Sequence, residues 1–284
     1  MMQIGVTFPQ TEIGADPGAI RDYAQAASDL GYSHLVAGEH VLSPGLSYPK
    51  EVAPYRATFH EPFTLFGFLA ALTPLELIPS VIILPQRQTV LVAKQAAEID
   101  VLTGGKLRLG IGIGWNRMEF EALGMDFRTR ARFFEEQIEV LRLLWQEEYV
   151  TYQGTFHTIT DAGLSPRPVQ RPIPLWIGGH ADTALRRIAR LADGWLPLGK
   201  PAEMGQLVER LRLYAGEAGR DPMAIGIEAT VYAREGQLEE WVRLTEEWRD
   251  LGATHITFST TGRGFKSVNE HIEAIRRYKE AIKP

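Results

Sequence analysis

The sequence contains no cysteine. Disulfide bonds, thiolate metal sites, iron–sulfur clusters and cysteine nucleophiles are therefore excluded. Basic residues are also few, because 30 lysines and arginines stand against 35 acidic residues and leave a net charge of -5. Broad binding to nucleic acid or to an anionic membrane requires a basic surface, so we expect neither partner.

Long apolar runs are missing as well. The first ten residues lack the basic region and the apolar stretch of a signal peptide. No uninterrupted apolar run approaches the roughly 20 residues that cross a bilayer. We therefore expect a soluble protein of the cytoplasm.

Several catalytic signatures are absent. There is no Walker A pattern and no G-x-S-x-G nucleophile elbow. His60-Glu61 begins like a zinc-protease motif, but residue 64 is threonine rather than histidine. Since no histidines and carboxylates cluster at helical ligand spacing, we expect no metal.

Short apolar runs alternate with amphipathic segments along the chain, which gives eight strand–helix units. Repeated units of this kind build a parallel sheet covered by helices. The predicted strands are Gln3–Phe8, His34–Ala37, Leu77–Leu84, Leu107–Ile113, Leu175–Ile177, Trp195–Pro197, Ile225–Tyr232 and Thr254–Phe258. Eight units in 284 residues predict an α/β protein of the TIM (β/α)8 barrel type, with an open doubly wound sheet as the alternative.

We expect a single domain over residues 1–284 with one small insertion. Tyr149–Thr160 alternates around Gly154 like a short hairpin, and a proline-rich loop follows over Asp161–Pro174. The segment 149–174 therefore interrupts the regular alternation of strands and helices.

Active sites of such barrels lie at the carboxyl ends of the strands. Glu39-His40 follows the second predicted strand, where a histidine can exchange a proton near neutral pH. A solvated or structural histidine is the alternative interpretation of this position.

Two glycine-rich runs reach the same end of the predicted barrel. Gly110-Ile-Gly-Ile-Gly114 places three glycines on one face of the fourth strand, which favours either tight packing or the approach of a flat ligand. The run 178–180 (Gly-Gly-His) joins the fifth strand to a helix. That turn suits either phosphate binding or simple close packing.

Several runs in this order resemble the bacterial luciferase-like flavin family over nearly the whole chain. They are Ser80–Arg87, Ala93–Ala97, Asp100–Lys106, Gly110–Trp115, Leu175–Gly179, Asp193–Trp195 and Gly252–His255. The sequence is most similar to the branch that uses the deazaflavin coenzyme F420. The resemblance implies a TIM barrel with an insertion after strand four or five, and a flavin-type cofactor lying across the strand ends.

The resemblance also implies site residues. A bulged third strand, often with a non-prolyl cis peptide, would support the ring from behind at Ser80, Val81 and Ile82, and Gly114 and Trp115 would border the ring. Gly178, Gly179 and His180 would hold the phosphate. Glu39 and His40 would lie beside the reactive edge of the ring, with His40 as the proton donor or acceptor and Glu39 as its orienting partner or a structural anion.

One position departs from the pattern of related deazaflavin sugar-phosphate dehydrogenases. Those enzymes carry a catalytic glutamate directly after the glycines of strand four, where this sequence has Trp115. We therefore expect a less polar small-molecule substrate. The predicted substrate wall consists of Trp115, His60, Tyr48 and Tyr55.

The leading hypothesis is a coenzyme F420-dependent oxidoreductase that transfers hydride to or from a small organic substrate. An alternative is a two-component monooxygenase that receives reduced FMN from a separate flavin reductase. A flavin-binding protein without turnover is a third possibility. A sugar-phosphate isomerase or aldolase is a fourth, but Lys200 is the one lysine that the pattern places at the rim.

Relatives of this kind commonly form homodimers through the helices beside strands two to four. The apolar stretch Phe63–Leu72 is compatible with such a face, and it is equally compatible with packing on the barrel.

Overall fold

The computed structural model describes residues 2–45 and 56–282. Tyr48 and Tyr55, two of the predicted substrate-wall residues, lie outside them. The strands are β1 Gln3–Thr7, β2 His34–Ala37, β3 Glu76–Pro79, β4 Ile82–Ile83, β5 Leu109–Gly112, β6 Val150–Gln153, β7 Thr158–Ala162, β8 Leu175–Gly178, β9 Gly194–Leu196, β10 Gly226–Tyr232 and β11 His255–Ser259. The helices are α1 Gln10–Ile13, α2 Pro17–Asp29, α3 Pro62–Ala70, α4 Thr89–Leu102, α5 Arg117–Ala122, α6 Arg130–Gln146, α7 Asp182–Leu191, α8 Pro201–Glu217, α9 Leu238–Asp250 and α10 Val268–Ala281.

Nine of the described strands form one parallel sheet in the order β3-β2-β1-β11-β10-β9-β8-β5-β4. β1 pairs with β11, the last strand in the chain, as a barrel requires. The two ends of the sheet meet because Leu77 of β3 bridges Leu107, just before β5. The predicted TIM barrel is confirmed, and the open sheet is wrong.

The third barrel strand is divided into β3 and β4. A cis peptide bond between Ser80 and Val81 separates the two parts. The continuous strand predicted over Leu77–Leu84 is therefore wrong in its middle, whereas the non-prolyl cis peptide expected from the family resemblance is present. Hydrophobic patterning did not place this break, because the run is apolar apart from the single residue Ser80.

Local sequence signals account for the ends of several helices. Asp16 caps α2, since its carboxylate accepts hydrogen bonds from the Gly18 and Ala19 N–H groups at 3.3 and 3.1 Å. Ser267 and Glu270 form the capping box that starts α10. The short helices α1 and α5 were not predicted, because four and six residues are too few to show a helical period.

The insertion is an antiparallel hairpin of β6 and β7. Its second strand continues to Ala162, beyond the predicted boundary at Thr160. Glu136 of α6 holds the turn by accepting hydrogen bonds from the Thr155, Phe156 and His157 N–H groups at 2.8–2.9 Å. The hairpin is thereby attached to the barrel's outer layer.

The apolar stretch Phe63–Leu72 packs mainly on its own barrel. Phe66 and Leu69 are fully buried, whereas Phe68 is 44% exposed. Within the described residues no helix is both long and apolar enough to cross a membrane. The same residues contain no group of three metal-binding side chains.

Candidate active site

The carboxyl ends of the barrel strands surround a cavity of about 650 Å³. Its lining comes from β2, the β3–β4 break, β5, β8, β9, β10, β11 and several of the loops that follow these strands. Of the predicted site residues, the following line it: Glu39, His40, Ser80, Val81, Gly114, Trp115, Gly178, Gly179 and His180. The barrel thus brings together segments that lie far apart in the sequence.

Two predicted residues lie elsewhere. Ile82 is fully buried in the core, and its neighbour Ile83 lines the cavity in its place. His60 does not line the cavity but borders a separate pocket of about 280 Å³ between α2 and α3. Its backbone N–H donates to Gln10 Oε1 at 2.9 Å, which fixes this part of the loop near β1. The structure therefore corrects the placement of both residues.

The glycines of β5 are explained by packing against the broken third strand. A β-carbon at Gly110 would lie 2.1 Å from the Pro79 carbonyl oxygen, and one at Gly112 would lie 2.9 Å from Val81 Cγ2. Gly114 has a φ of 75°, and a β-carbon there would meet Ile83 at 2.5 Å. Of the two interpretations of this run, tight packing therefore accounts for the glycines.

Gly178 and Gly38 have more space around them. A β-carbon at Gly178 would meet Val81 Cγ1 at 3.5 Å as its nearest atom, and one at Gly38 would meet Gln10 Nε2 at 3.7 Å. Both glycines line the cavity. Since no protein atom requires the smallest side chain at either position, the missing side chains enlarge the cavity.

His180 closes the side of the cavity next to β9. Its Nε2 accepts a hydrogen bond from the Leu198 N–H at 2.8 Å, so the hydrogen of the neutral ring lies on Nδ1. Burial lowers the pKa of His180, which keeps the ring uncharged at neutral pH. Trp195 Nε1 donates to the Gly179 carbonyl oxygen at 2.8 Å and fixes the turn beside it.

His40 lies among aromatic rings at the mouth of the cavity. Its ring centroid is 5.1 Å from that of Phe59 and 6.3 Å from that of Trp115, both in edge-to-face orientation. Its Nδ1 lies 3.3 Å from Oε1 of Glu119, a residue of α5. The carboxylate beside this histidine is therefore Glu119 rather than the adjacent Glu39.

Glu39 is instead paired with Arg87, and Arg87 also bonds Glu61 at the start of α3 with an Nη2–Oε1 distance of 3.1 Å. Burial raises the pKa of Glu39 above its usual value, although the Arg87 guanidinium opposes that shift. The role of orienting partner is thus wrong for Glu39, and that of a structural anion fits its contacts.

The floor of the cavity is polar and fully buried. Glu228 of β10 accepts from Arg108 Nη1 at 2.7 Å and lies 3.0 Å from His34 Nε2, and Thr257 also donates to its carboxylate. Burial alone would raise the pKa of Glu228, but the Arg108 guanidinium and the hydrogen bonds from His34 and Thr257 hold it well below the usual range. Glu228 is therefore an ionised carboxylate in a buried ion pair with Arg108 beneath the centre of the site.

Sequence analysis missed several lining residues. They are Phe59, Ile83, Phe127 and Glu228. Arg130 lies 3.7 Å from the ring centre of Phe127 and donates to the Phe127 carbonyl oxygen at 2.7 Å. Arg130 also lines the cavity, whereas Arg117 on α5 faces solvent and pairs with Glu121.

These observations define a TIM-barrel protein with a partly apolar ligand cavity at the carboxyl ends of its strands. The sequence profile of the luciferase-like monooxygenase family matches residues 2–284. The chain therefore belongs to the luciferase-like family.

Two proteins with related sequences match most of the chain. An uncharacterised protein of Mycobacterium tuberculosis is 36% identical over 209 residues, which cover 69% of this chain and 71% of that protein. An FMNH2-dependent dimethylsulfone monooxygenase of Pseudomonas fluorescens is 32% identical over 225 residues, or 77% of this chain and 58% of that enzyme.

A structural neighbour is an F420-dependent secondary alcohol dehydrogenase in complex with an F420–acetone adduct. It superimposes with a TM-score of 0.82 and 16% identity, over 100% of this chain and 99% of the other. At that identity the likeness supports the fold alone. Among the proteins similar to this chain, one by sequence is thus named for FMNH2, and one by fold is named for F420.

Proposed function

We propose that this protein is an oxidoreductase that uses the deazaflavin coenzyme F420 and transfers hydride to or from a small organic substrate. The observation that carries the proposal is that Gly178 and Gly38 line the cavity although an added β-carbon would make only ordinary contacts, at 3.5 Å or more, at either position. A flat cofactor ring would lie against this bare part of the cavity wall. The chain's own packing gives no other reason for glycine at either position.

In this proposal the turn after β8 holds the cofactor's phosphate. The backbone N–H groups of Gly178 and Gly179 and the Nδ1–H of neutral His180 would donate to it. Val81 would support the back of the ring from the β3–β4 break. When bound, the deazaflavin accepts or donates a hydride.

The walls of the cavity suit a weakly polar substrate. Trp115, Phe59 and Phe127 supply aromatic surface near the mouth, and Trp115 is 53% exposed. Secondary alcohols, ketones and enones fit such a wall better than sugar phosphates do. His40 would hold the proton that leaves or joins the substrate oxygen.

A direct test uses the purified protein under anaerobic conditions. Oxidised F420 is mixed with a panel of secondary alcohols, and reduced F420 with ketones and enones, while the absorbance of the cofactor is followed. We expect turnover with at least one panel member. Cofactor binding without turnover on a broad panel would instead favour a flavin-binding protein with no reaction of its own.

Reduced-FMN monooxygenation is the second candidate, and the 32% identity to a dimethylsulfone monooxygenase favours it. That reaction would need a separate flavin reductase as partner. Oxygen uptake with reduced FMN and a substrate, together with no reaction with F420, would select this alternative.

We also propose that the protein forms a homodimer. Apolar side chains on α3 and α4 remain exposed on a single chain: Phe68 at 44%, Val90 at 48% and Leu91 at 52%. Burial of such side chains by a second copy would remove them from water. Measurement of the solution mass by light scattering tests this proposal.

A further inference from the structure

Glu119 is a buried carboxylate outside every predicted site. It lies on α5, the short helix between β5 and α6, and is 1% exposed. Its helix is fixed by Phe120, which is fully buried and packs edge-to-face on Phe127 with ring centres 5.2 Å apart. Glu119 is therefore held in one place beside the cavity.

The Glu119 carboxylate accepts hydrogen bonds from two other segments, the loop after β2 and the segment around Gln86. Glu119 Oε1 accepts hydrogen bonds from the Val41 N–H at 3.0 Å and the Leu42 N–H at 3.2 Å, and it faces His40 Nδ1 at 3.3 Å. Gln86 Nε2 donates to Oε2 at 3.5 Å. Three consecutive residues of the loop after β2 thus depend on one carboxylate oxygen.

These donors keep Glu119 ionised. Burial alone would raise its pKa, but the hydrogen bonds from His40, Leu42 and Gln86 bring the pKa of Glu119 below its usual value. An ionised carboxylate can only accept hydrogen bonds. In the neutral ring of His40, the hydrogen must therefore lie on Nδ1, which leaves Nε2 as the basic nitrogen.

We infer that Glu119 is the positioning residue of His40: it selects the Nδ1–H tautomer, orients the ring and stabilises the imidazolium that forms when Nε2 takes a proton. The inference rests on the proposed function where it gives His40 a proton to move. In alcohol oxidation, Nε2 would accept the hydroxyl proton as the hydride leaves the substrate carbon. The geometry thus assigns the role of proton acceptor to Nε2 of His40.

The first test needs neither cofactor nor turnover. Protein labelled with ¹⁵N-histidine is studied by long-range ¹H–¹⁵N NMR, and His40 is identified by its absence in His40→Gln. We expect the hydrogen of the neutral His40 ring on Nδ1. A hydrogen on Nε2 would overturn the inference, whatever the outcome of the activity assays.

The second test separates positioning from folding. In Glu119→Gln the amide oxygen can still accept from the loop N–H groups, but the negative charge is lost. We expect kcat to fall about 100-fold while cofactor affinity and the unfolding midpoint stay near wild type. The matched control is Glu121→Gln on the same helix, where the carboxylate is 70% exposed and pairs with Arg117.

Full turnover in Glu119→Gln would contradict the role. So would equal losses in the two variants, since a general weakening of α5 would affect both. If the wild type shows no F420 turnover, the proposed function fails, and the NMR result alone decides the tautomer.

Discussion

Val81 and Gly178 are neighbours in the cavity wall, and a β-carbon added at residue 178 would lie 3.5 Å from Val81 Cγ1. On its other side Val81 blocks Gly112, where an added β-carbon would lie 2.9 Å from Val81 Cγ2. The Val81 side chain therefore contacts two glycine positions that differ in how much space they have. Gly112 is required by packing, and Gly178 leaves space that a ligand can use.

This difference predicts opposite effects of two identical substitutions. Gly178→Ala should keep its stability, because the new methyl group makes an ordinary contact, but its affinity for F420 should fall about tenfold. Gly112→Ala should lose roughly 1–3 kcal/mol, since Val81 must move. Cofactor titration and urea unfolding measure the two effects. Wild-type affinity in Gly178→Ala would contradict this interpretation of the cavity.

His40 should matter for turnover and not for cofactor binding. We expect His40→Gln to lower kcat by about 100-fold or more, the usual contribution of a positioned proton donor or acceptor. F420 affinity should stay within about threefold of wild type, or ~0.7 kcal/mol. His60→Gln is the matched control, because His60 borders the separate pocket between α2 and α3. An equal loss of kcat in the two variants would contradict a specific role of His40 in turnover.

The buried ion pair at the cavity floor should be sensitive to the loss of one partner. Arg108 is 3% exposed and bonds both Glu228 and Glu76. Arg108→Met should destabilise the fold by roughly 3 kcal/mol, because Glu228 keeps a buried charge without its guanidinium. Urea unfolding checks this value. The double variant Arg108→Met/Glu228→Gln should be the more stable of the two, and a less stable double variant would contradict the argument.

Acid should destabilise the protein through His271. This residue is fully buried, and burial lowers its pKa to about 4 from the ordinary 6.5. Between those pH values the unfolded chain binds a proton that the folded chain does not, so stability falls as the pH drops below 6.5. The contribution is about 3 kcal/mol by pH 4. Urea unfolding of His271→Gln should show a shallower loss of stability over this range, and an equal slope would exclude His271 as the cause.

Local sequence patterns predicted where the strands end. They could not predict contacts between residues that are far apart in the sequence. Glu39-His40 and the run 178–180 (Gly-Gly-His) follow recognisable strands, so the barrel topology placed both at one rim. His40 and Glu119 are 79 residues apart, and neither segment contains a signal for the other. The third strand could be predicted as apolar, but its division at Ser80–Val81 came from the family resemblance and not from periodicity.

Sequence patterns also failed to predict which way individual side chains point. His60 lies in the loop that the pattern assigned to the rim, yet its backbone is tied to Gln10 near β1. Ile82 and Ile83 are adjacent and chemically alike, and only the strand's local path decides that Ile83 lines the cavity. Sequence alone does not fix which of two neighbouring residues faces inward where a strand is broken.

The choice of cofactor is the central claim, and a paired fluorescence titration tests it most directly. Purified protein without cofactor is added to F420 and, separately, to FMN, with Gly178→Ala as the matched variant. The account predicts micromolar or tighter binding of F420, FMN binding weaker by about tenfold or more, and loss of F420 affinity in the variant. Preference for FMN, or binding of neither cofactor, would contradict it.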